Sequence, residues 1–196
     1  MDLGYTVILA SDGSAIRKPD KEHWWCAGGF YGRIYSEHAL INEFSKVVQL
    51  DNSTNNIGEL TGLEMAIDSL KVMGADNGMH FIFLLDSEYT LKSVTKWYNS
   101  WKHNMRDGVA YTATGTPVKN WTQIERIHNK LKAVKSKHVF KVRSHVTEKD
   151  MQKAFHEFCY VNNESISYGI WSIFNEMNTK CDFIVNEAAE KLRDNR

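Results

Sequence analysis

Residues 5–13 have the sequence YTVILASDG, and this run predicts a buried strand from which the remaining elements can be placed. It is apolar and rich in β-branched residues as far as Ala10, and it ends in the turn-forming residues SDG. The run MHFIFLLDS, residues 79–87, has the same pattern and contains Asp86 at its end. In an open α/β sheet, functional residues collect beyond the carboxyl ends of the strands. Asp12 and Asp86 are therefore the first candidate functional residues.

The residues around these two strands predict an alternation of strands and helices. Residues 24–35 and 41–50 predict two further strands of a meander, joined by a turn near residues 36–39. Apolar residues at helical spacing predict four helices, and a β-branched run predicts a fifth strand. The helices cover residues 57–73, closed by Gly74, then 88–101, 121–134 and 178–194, and the strand covers 137–145. The order β-β-β-α-β-α-α-β-α indicates an α/β fold.

Composition limits the class of protein. The 196 residues are expected to form a single domain, residues 1–196, that carries one insertion. Lys plus Arg equals Asp plus Glu at 24 each, so any nucleic acid would have to be bound through local basic patches. The three cysteines lack metal-ligand spacing, which argues against a disulfide scaffold or a structural zinc site. No apolar run reaches the roughly 18 residues of a membrane span, so we expect a soluble, cytoplasmic protein with no membrane partner.

Four acidic residues occupy positions from which carboxylates can hold a cation. Asp12 and Asp86 end predicted strands, whereas Glu59 and Asp182 begin predicted helices. Each has an ordinary explanation, because aspartate forms turns and an acid in the first helical turn suits the helix dipole. Together the four suit a pair of Mg²⁺ ions, which prefer carboxylate and phosphate oxygens and can activate a water beside a phosphodiester. This interpretation requires a fold that brings the four side chains together.

Seven short motifs follow one another along nearly the whole chain, apart from residues 146–177. They are SDGS at 11–14, TNNIGEL at 54–60, LDSEY at 85–89, VTKWYNSWK at 94–102, PVKNW at 117–121, KVRSH at 141–145 and NTKCDFIVNEAAE at 178–190. Each motif is weak alone, but in this order they resemble ribonuclease H of type I. The resemblance implies the ribonuclease H-like α/β fold, a mixed five-stranded sheet flanked by helices, with an insertion before the C-terminal helix.

The resemblance also implies catalytic roles. Asp12, Glu59, Asp86 and Asp182 match the family's metal-binding, catalytic carboxylates, which would hold two Mg²⁺ ions, with Mn²⁺ as the alternative metal. His145 matches the family's mobile catalytic histidine, which would assist proton transfer or the release of product and metal. A solvated loop histidine without a role is the competing interpretation of His145.

Contacts with an RNA–DNA hybrid are implied as well. Asparagine amides before the acidic helix can hydrogen-bond base edges and 2′-hydroxyls in a shallow minor groove, and they can also cap the helix. Aromatic and basic side chains of residues 96–108 would grip the DNA strand, and packing in the core explains the two tryptophans of this segment equally well. The implied nucleic-acid-binding residues are Gly13, Ser14, Thr54, Asn55, Asn56, Glu88, Trp97, Trp101, Lys102 and Lys119.

Three features depart from the family's pattern. The loop after SDGS lacks the usual asparagine, so Arg17 or Lys18 would supply charge there instead. Glu88 replaces an amide that contacts substrate, and it brings a negative charge to the site. Residues 146–177 enlarge the segment before the last carboxylate and contain a predicted helix at 148–161. This segment would be a lid, a duplex-binding extension, a contact for a replication protein, or a helical decoration with its own small aromatic core.

Three functions are compatible with these observations. The first is a monomeric endonuclease of DNA replication that hydrolyses the RNA strand of RNA–DNA hybrids by a two-metal-ion mechanism, leaving 5′-phosphate and 3′-hydroxyl ends. The second is a nuclease of the same fold that cuts another structured nucleic acid. The third is a non-catalytic hybrid-binding module. The four acids argue against the third function, because clustered carboxylates without metal repel phosphate.

Overall fold

The structure is a computed structural model that describes residues 5–72 and 78–195. In these two ranges the chain forms β1 (Tyr5–Arg17), β2 (Trp24–Ser36), β3 (Ala39–Asp51), α1 (Asn55–Val72), β4 (His80–Leu85), α2 (Glu88–Val94), α3 (Lys96–His103), β5 (Met105–Arg106), β6 (Val109–Ala110), α4 (Trp121–Ala133), β7 (Lys137–Lys141), α5 (Met151–Asn162) and α6 (Tyr168–Asp194). The predicted closure of the first helix by Gly74 falls outside the described residues.

The main sheet has five strands in the order β3-β2-β1-β4-β7. Strands β1, β2 and β3 form an antiparallel meander, and β1, β4 and β7 run parallel. The predicted mixed five-stranded sheet flanked by helices is therefore confirmed. A separate two-stranded ribbon of β5 and β6 was not predicted, because strands of two residues carry no periodic pattern.

The sequence pattern predicted that the first strand ends at Asp12, and this prediction is wrong. The strand continues to Arg17, because the hairpin with β2 pairs residue by residue as far as Arg17 with Trp24. The parallel pairing with β4 does stop at this point, with Ser11 opposite Leu85. Asp12 therefore lies within a strand but beside the carboxyl end of its parallel neighbour.

The predicted helix over residues 88–101 is two helices, α2 and α3, separated at Thr95. The backbone of Thr95 is non-helical, with φ −118° and ψ −81°. Its side-chain hydroxyl donates to the carbonyl of Leu91 one turn earlier, a hydrogen bond that competes with the helical backbone pattern. The apolar stripe alone did not reveal this break.

The last helix begins at Tyr168, ten residues before the predicted start. Ser167 caps it, because its side chain accepts a hydrogen bond from the Ile170 amide. Trp171 and Phe174 continue the apolar stripe backward from Cys181, so the helix buries one long face. The final ten residues of segment 146–177 are thus the first part of α6. Among the described residues, no helix is both long and apolar enough to cross a membrane.

Two hydrophobic cores cover the two faces of the sheet. Helices α1 to α4 pack on one face, where Leu9 and Phe83 contact residues such as Leu60. Helices α5 and α6 cover the other face, where Phe158 and Phe174 join the same core as the strand residues of that face. The aromatic residues of segment 146–177 therefore do not form a small core of their own, because they pack in the core on the second face of the sheet.

Candidate active site

Three acids meet at the carboxyl end of the parallel strands. Asp12 lies on β1, Glu59 on α1, and Asp86 follows β4 directly. One carboxylate oxygen of each lies within 4.8 Å of the other two. Asp12 and Glu59 are 5% and 7% exposed and Asp86 is half-buried, so most of the cluster is removed from bulk water. This is the grouping that the sequence predicted for three of its four acids.

Close backbone packing brings Glu59 to the strands. A Cβ atom at Gly13 would lie 2.2 Å from the Glu59 amide nitrogen, and one at Gly58 would lie 2.5 Å from the Ala27 carbonyl oxygen. Helix α1 can therefore approach the sheet only because both positions are glycine. The helix begins at Asn55, so Glu59 lies one turn inside it, and the predicted first-turn position of Glu59 is wrong. The helix dipole therefore does not explain why an acid occupies this buried position.

Asp182 approaches the cluster from the middle of α6, and its predicted position at a helix start is also wrong. The thiol of Cys181 donates to the Ala10 carbonyl at 3.3 Å and holds this turn of α6 against β1. The Asn186 amide donates to Asp182 Oδ1 at 2.9 Å. The negative charge of Asp182 lies near enough to raise the pKa of both Asp12 and Asp86.

The acids strongly disfavour one another's ionisation. Burial, followed by the neighbouring Asp86, raises the pKa of Asp12 to about 8. Burial and the charges of Asp12 and Asp86 raise the pKa of Glu59 to about 10. Burial is also the main cause of the raised pKa of Asp86, whose Oδ1 is buried without a hydrogen-bond partner in the described chain. Buried carboxylates whose ionisation is this unfavourable fit a site for a hard divalent cation, which would stabilise their charged forms.

A lysine that the sequence analysis did not single out lies beside these acids. Lys141, the last residue of β7, donates from Nζ to the Asp86 carbonyl at 2.5 Å and to the Val142 carbonyl at 2.7 Å. Burial lowers the pKa of Lys141, while the charges of Asp86 and Glu88 act in the opposite direction. The ammonium group therefore fixes the Asp86 backbone and supplies a positive charge. A lysine at the carboxyl end of a predicted strand was the available signal.

His145 lies at the rim of the site. Its side chain is 76% exposed, and Nδ1 is 3.9 Å from Asp182 Oδ2. Its backbone has φ +51°, the left-handed conformation typical of a turn. The imidazole can therefore exchange protons with solvent while remaining beside an acid of the site.

Three polar residues at the start of α1 have different roles, and Asn55 and Asn56 are the first two residues of the helix, not part of a loop before it as predicted. Thr54 Oγ1 accepts from the Ile57 amide at 3.4 Å and caps the helix. Asn55 Nδ2 donates to Glu59 Oε1 at 3.3 Å, so it orients one of the acids. Asn56 is exposed beside them. Residues 53–56, with the sequence STNN, are all of types that cap helices, and Thr54 is the one that does so.

The remaining predicted contacts on the strand side surround the acids. The Gly13 amide donates to Asp12 Oδ1 at 2.7 Å, and Ser14 follows, half-buried, on β1. Glu88 is exposed and forms an ion pair with Lys92, so its negative charge is compensated locally. Lys18 cannot replace the missing loop asparagine, because it is 8% exposed and bonded to Asp51.

The tryptophans of α3 differ in exposure. Trp101 is 8% exposed and packs in the core, so its ring offers little surface to a ligand. Trp97 is half-buried, and the Lys92 ammonium lies 5.6 Å from its ring centroid. Lys102 is exposed and bonded to a glutamate of α4, and Lys119 is exposed in the loop before that helix.

Comparisons with known proteins agree with this architecture. A family model described as RNase H matches residues 5–157. Ribonuclease H of Tropheryma whipplei (strain Twist) is 31% identical over 129 residues, which cover 62% of this chain and 63% of that relative. Ribonuclease H of Clostridium botulinum (strain ATCC 19397 / Type A) is 28% identical over 189 residues, which cover 95% of this chain and 97% of that relative. The chain thus spans less than two thirds of the Tropheryma relative.

A solved structure shares the fold. The PFV RNase H domain is similar to this chain with a TM-score of 0.55 and 21% sequence identity. The similarity covers 82% of this chain and 93% of that domain.

Proposed function

The chain belongs to the RNase H family, and on that basis we propose that it hydrolyses the RNA strand of RNA–DNA hybrids. The observation that carries this proposal is the buried cluster of Asp12, Glu59 and Asp86, with oxygens within 4.8 Å of one another. Buried, unpaired carboxylates are costly, and they repel the phosphates of any nucleic acid. A module that only bound hybrids would gain nothing from them, whereas a metal-dependent nuclease requires them.

We propose that Asp12, Glu59, Asp86 and Asp182 hold two Mg²⁺ ions, with Mn²⁺ as the alternative metal. The carboxylate oxygens suit a hard cation, and Asp86 Oδ1, which has no hydrogen-bond partner among the described residues, supports a ligand at that position. When bound, such a pair of ions would activate a water and stabilise the leaving oxygen, which gives 5′-phosphate and 3′-hydroxyl ends.

The protein's own groups prepare the site. The Gly13 amide and the Lys141 ammonium hold Asp12 and the Asp86 backbone, and the Asn55 amide orients Glu59. His145, exposed at the rim, would carry a proton to or from the reacting strand.

We propose that residues on either side of the acids bind the hybrid. Gly13 and Ser14 of β1, together with Thr54, Asn55 and Asn56 at the start of α1, would face the RNA minor groove, where the 2′-hydroxyl distinguishes RNA from DNA. On the other side, Trp97, Lys102 and Lys119 would contact the DNA strand, and the exposed carboxylate of Glu88 would lie beside the RNA. Trp101 would contribute by supporting Trp97, whose ring centroid is 5.4 Å away.

The cellular setting that we propose is removal of hybrids during DNA replication by a monomeric cytoplasmic protein. Three cysteines without a disulfide support a reducing compartment. The exposed surface of α5, which includes Tyr160, is the candidate contact for a replication protein.

A panel of duplexes tests the activity. Wild-type protein is incubated with end-labelled RNA–DNA, RNA–RNA and DNA–DNA duplexes of one sequence, with Mg²⁺ or with chelator. We expect cutting of the hybrid's RNA strand alone, and only with metal. Cutting of RNA–RNA or DNA–DNA would replace the proposal with a nuclease of another substrate, and metal-independent or absent cutting would reject it.

A further inference from the structure

A groove opens beside the acidic cluster, between α2 and α5. Its volume is about 340 Å³, and its lining includes Glu88, Lys92, Arg143, Glu157, Phe158 and Val161. Residues of α5 form one wall, so segment 146–177 creates the groove. It is continuous with the site, because Lys141 and Ser144 also line it, and Lys141 binds the Asp86 backbone while Ser144 precedes His145.

The lining combines an apolar floor with charged side chains at the edge, where the acids Glu88 and Glu157 lie beside the cations Lys92 and Arg143. Val142 and Phe158 are each 4% exposed and form the floor, and Val161 is 54% exposed at the rim. The side chains of Lys92 and Arg143 are 37% and 39% exposed. This combination suits a nucleotide, whose base face packs on apolar surface while its phosphate meets cations.

Arg143 is the cation best able to receive a new anion. Its guanidinium lies 3.6 Å from Glu157 and 4.0 Å from Asp150, and both distances are longer than a hydrogen bond. Guanidinium groups bind phosphate with paired, charge-assisted hydrogen bonds. Lys92, by contrast, already pairs with Glu88.

We propose that this groove binds single-stranded RNA that continues from the hybrid's RNA strand beyond the acidic cluster. The inference rests on the proposed function, because it takes the RNA strand to pass the acids. The groove volume is near the lower end of the range of small-molecule pockets, roughly 300–1,000 Å³, which suits single nucleotides and excludes a duplex. The protein would thus favour hybrids whose RNA has an unpaired extension.

The test compares three kinds of hybrid with the same duplex core. One is blunt, one carries a single-stranded RNA extension on either end of the RNA strand in turn, and one carries matching DNA extensions. KM and kcat are measured for wild type, Arg143→Gln and Val161→Glu. Lys132→Gln, which removes one exposed positive charge from α4, controls for long-range electrostatics.

We expect one RNA extension to lower KM about tenfold in the wild type and in Lys132→Gln. Arg143→Gln and Val161→Glu should return that KM to the blunt value without changing cleavage of the blunt hybrid. Equal KM values for all hybrids in the wild type would overturn the inference. A protein partner would then be the better candidate ligand of the groove. Preference for the DNA extension, or an equal effect of Lys132→Gln, would overturn it too.

Binding separates failure of this inference from failure of the proposed function. Fluorescence anisotropy with the same labelled hybrids is measured in chelator, where no cutting is expected. If nothing is cleaved under any condition, the proposed function fails, and the groove is judged by binding alone. Tighter binding of the RNA-extended hybrid that Arg143→Gln abolishes would still support the groove, and unchanged binding would reject it.

Discussion

Burial and mutual repulsion raise the pKa of Asp12 to about 8, whereas an aspartate in an unfolded chain titrates near pH 3.9. The folded protein therefore binds this proton more tightly than the unfolded chain does. The resulting stability is fully present below about pH 4 and is lost as pH rises through about 8. Glu59, with its pKa raised to about 10, acts in the same direction.

We therefore expect the metal-free protein to lose free energy of unfolding, on the order of 2–4 kcal/mol, between about pH 5 and pH 8. Urea unfolding in chelator at a series of pH values measures this loss. Asp12→Asn should flatten the profile, and saturating Mg²⁺ should stabilise the wild type most at the higher pH. A metal-free protein that becomes more stable toward pH 8 would contradict the account.

A second prediction concerns the side chain of Lys141. Lys141→Met removes the donor to two strand-end carbonyls and the positive charge beside the acids. We expect it to lower the free energy of unfolding in chelator by about 1–3 kcal/mol. Lys137→Met is the matched control, because Lys137 lies at the opposite end of β7 and donates to the Val134 carbonyl. Equal losses in the two variants would contradict a special contribution of Lys141 to the stability of the site.

The sequence could not reveal every residue of the site for a physical reason. Asp86 and Lys141 are 55 positions apart along the chain, and they meet only because Leu85 pairs with Lys141 in the parallel register of β4 and β7. Periodic patterns report burial, and they do not report register between distant strands. Asp12 and Asp86 could be predicted from the sequence, because an acid at the end of an apolar run stands out whatever the register of the strands.

At the scale of elements, the approach of α1 to the sheet decides whether Glu59 reaches the cluster. Gly58→Ala places a Cβ 2.5 Å from the Ala27 carbonyl, so the helix must shift. We expect a loss of about 1–3 kcal/mol of stability and a fall in the rate of hybrid cleavage. Thermal unfolding and initial rates provide the measurements.

Gly169→Ala is the control for that prediction. Gly169 lies in α6, and the nearest atom to its added Cβ, Ser167 Oγ, is 3.9 Å away. Alanine favours the helix there, so stability should be unchanged or higher by up to about 1 kcal/mol. Gly58→Ala protein with wild-type stability and rate would mean that the close packing is not required.

Two of the errors in helix boundaries, the break at Thr95 and the start of α6, have a common cause. An apolar stripe predicts which residues share a face, and it does not predict where a helix starts or breaks. Thr95 separates α2 from α3, and its side chain donates a hydrogen bond to the Leu91 carbonyl. Ser167 caps the start of α6 by accepting a hydrogen bond from the Ile170 amide. Asp182 consequently lies in the middle of α6. The apolar stripe that begins at Trp171 packs this helix on the sheet, and Asp182 therefore lies beside the other acids.

For the whole molecule, segment 146–177 is part of the fold. Phe174 is fully buried in the core on the second face of the sheet. Phe174→Ala should cost about 3–5 kcal/mol of stability, measured by urea unfolding. Tyr160→Ala, at a position 87% exposed on α5, should change stability by about 0.5 kcal/mol or less. Comparable small effects in both variants would mean that the segment is a removable decoration.

The central claim is that the acidic cluster makes this chain a nuclease that cuts RNA in hybrids, and one rate tests it most directly. The initial rate of RNA-strand cleavage is measured in Mg²⁺ for wild type, Asp86→Asn and Asp68→Asn. Asp68 is an acid of α1 that pairs with Lys130 outside the cluster, so its variant is matched in charge. All three proteins are first shown to be folded by circular dichroism. We predict that Asp86→Asn lowers the rate on the order of a thousandfold while Asp68→Asn keeps it. A folded Asp86→Asn protein that cuts the hybrid at the wild-type rate would contradict the account.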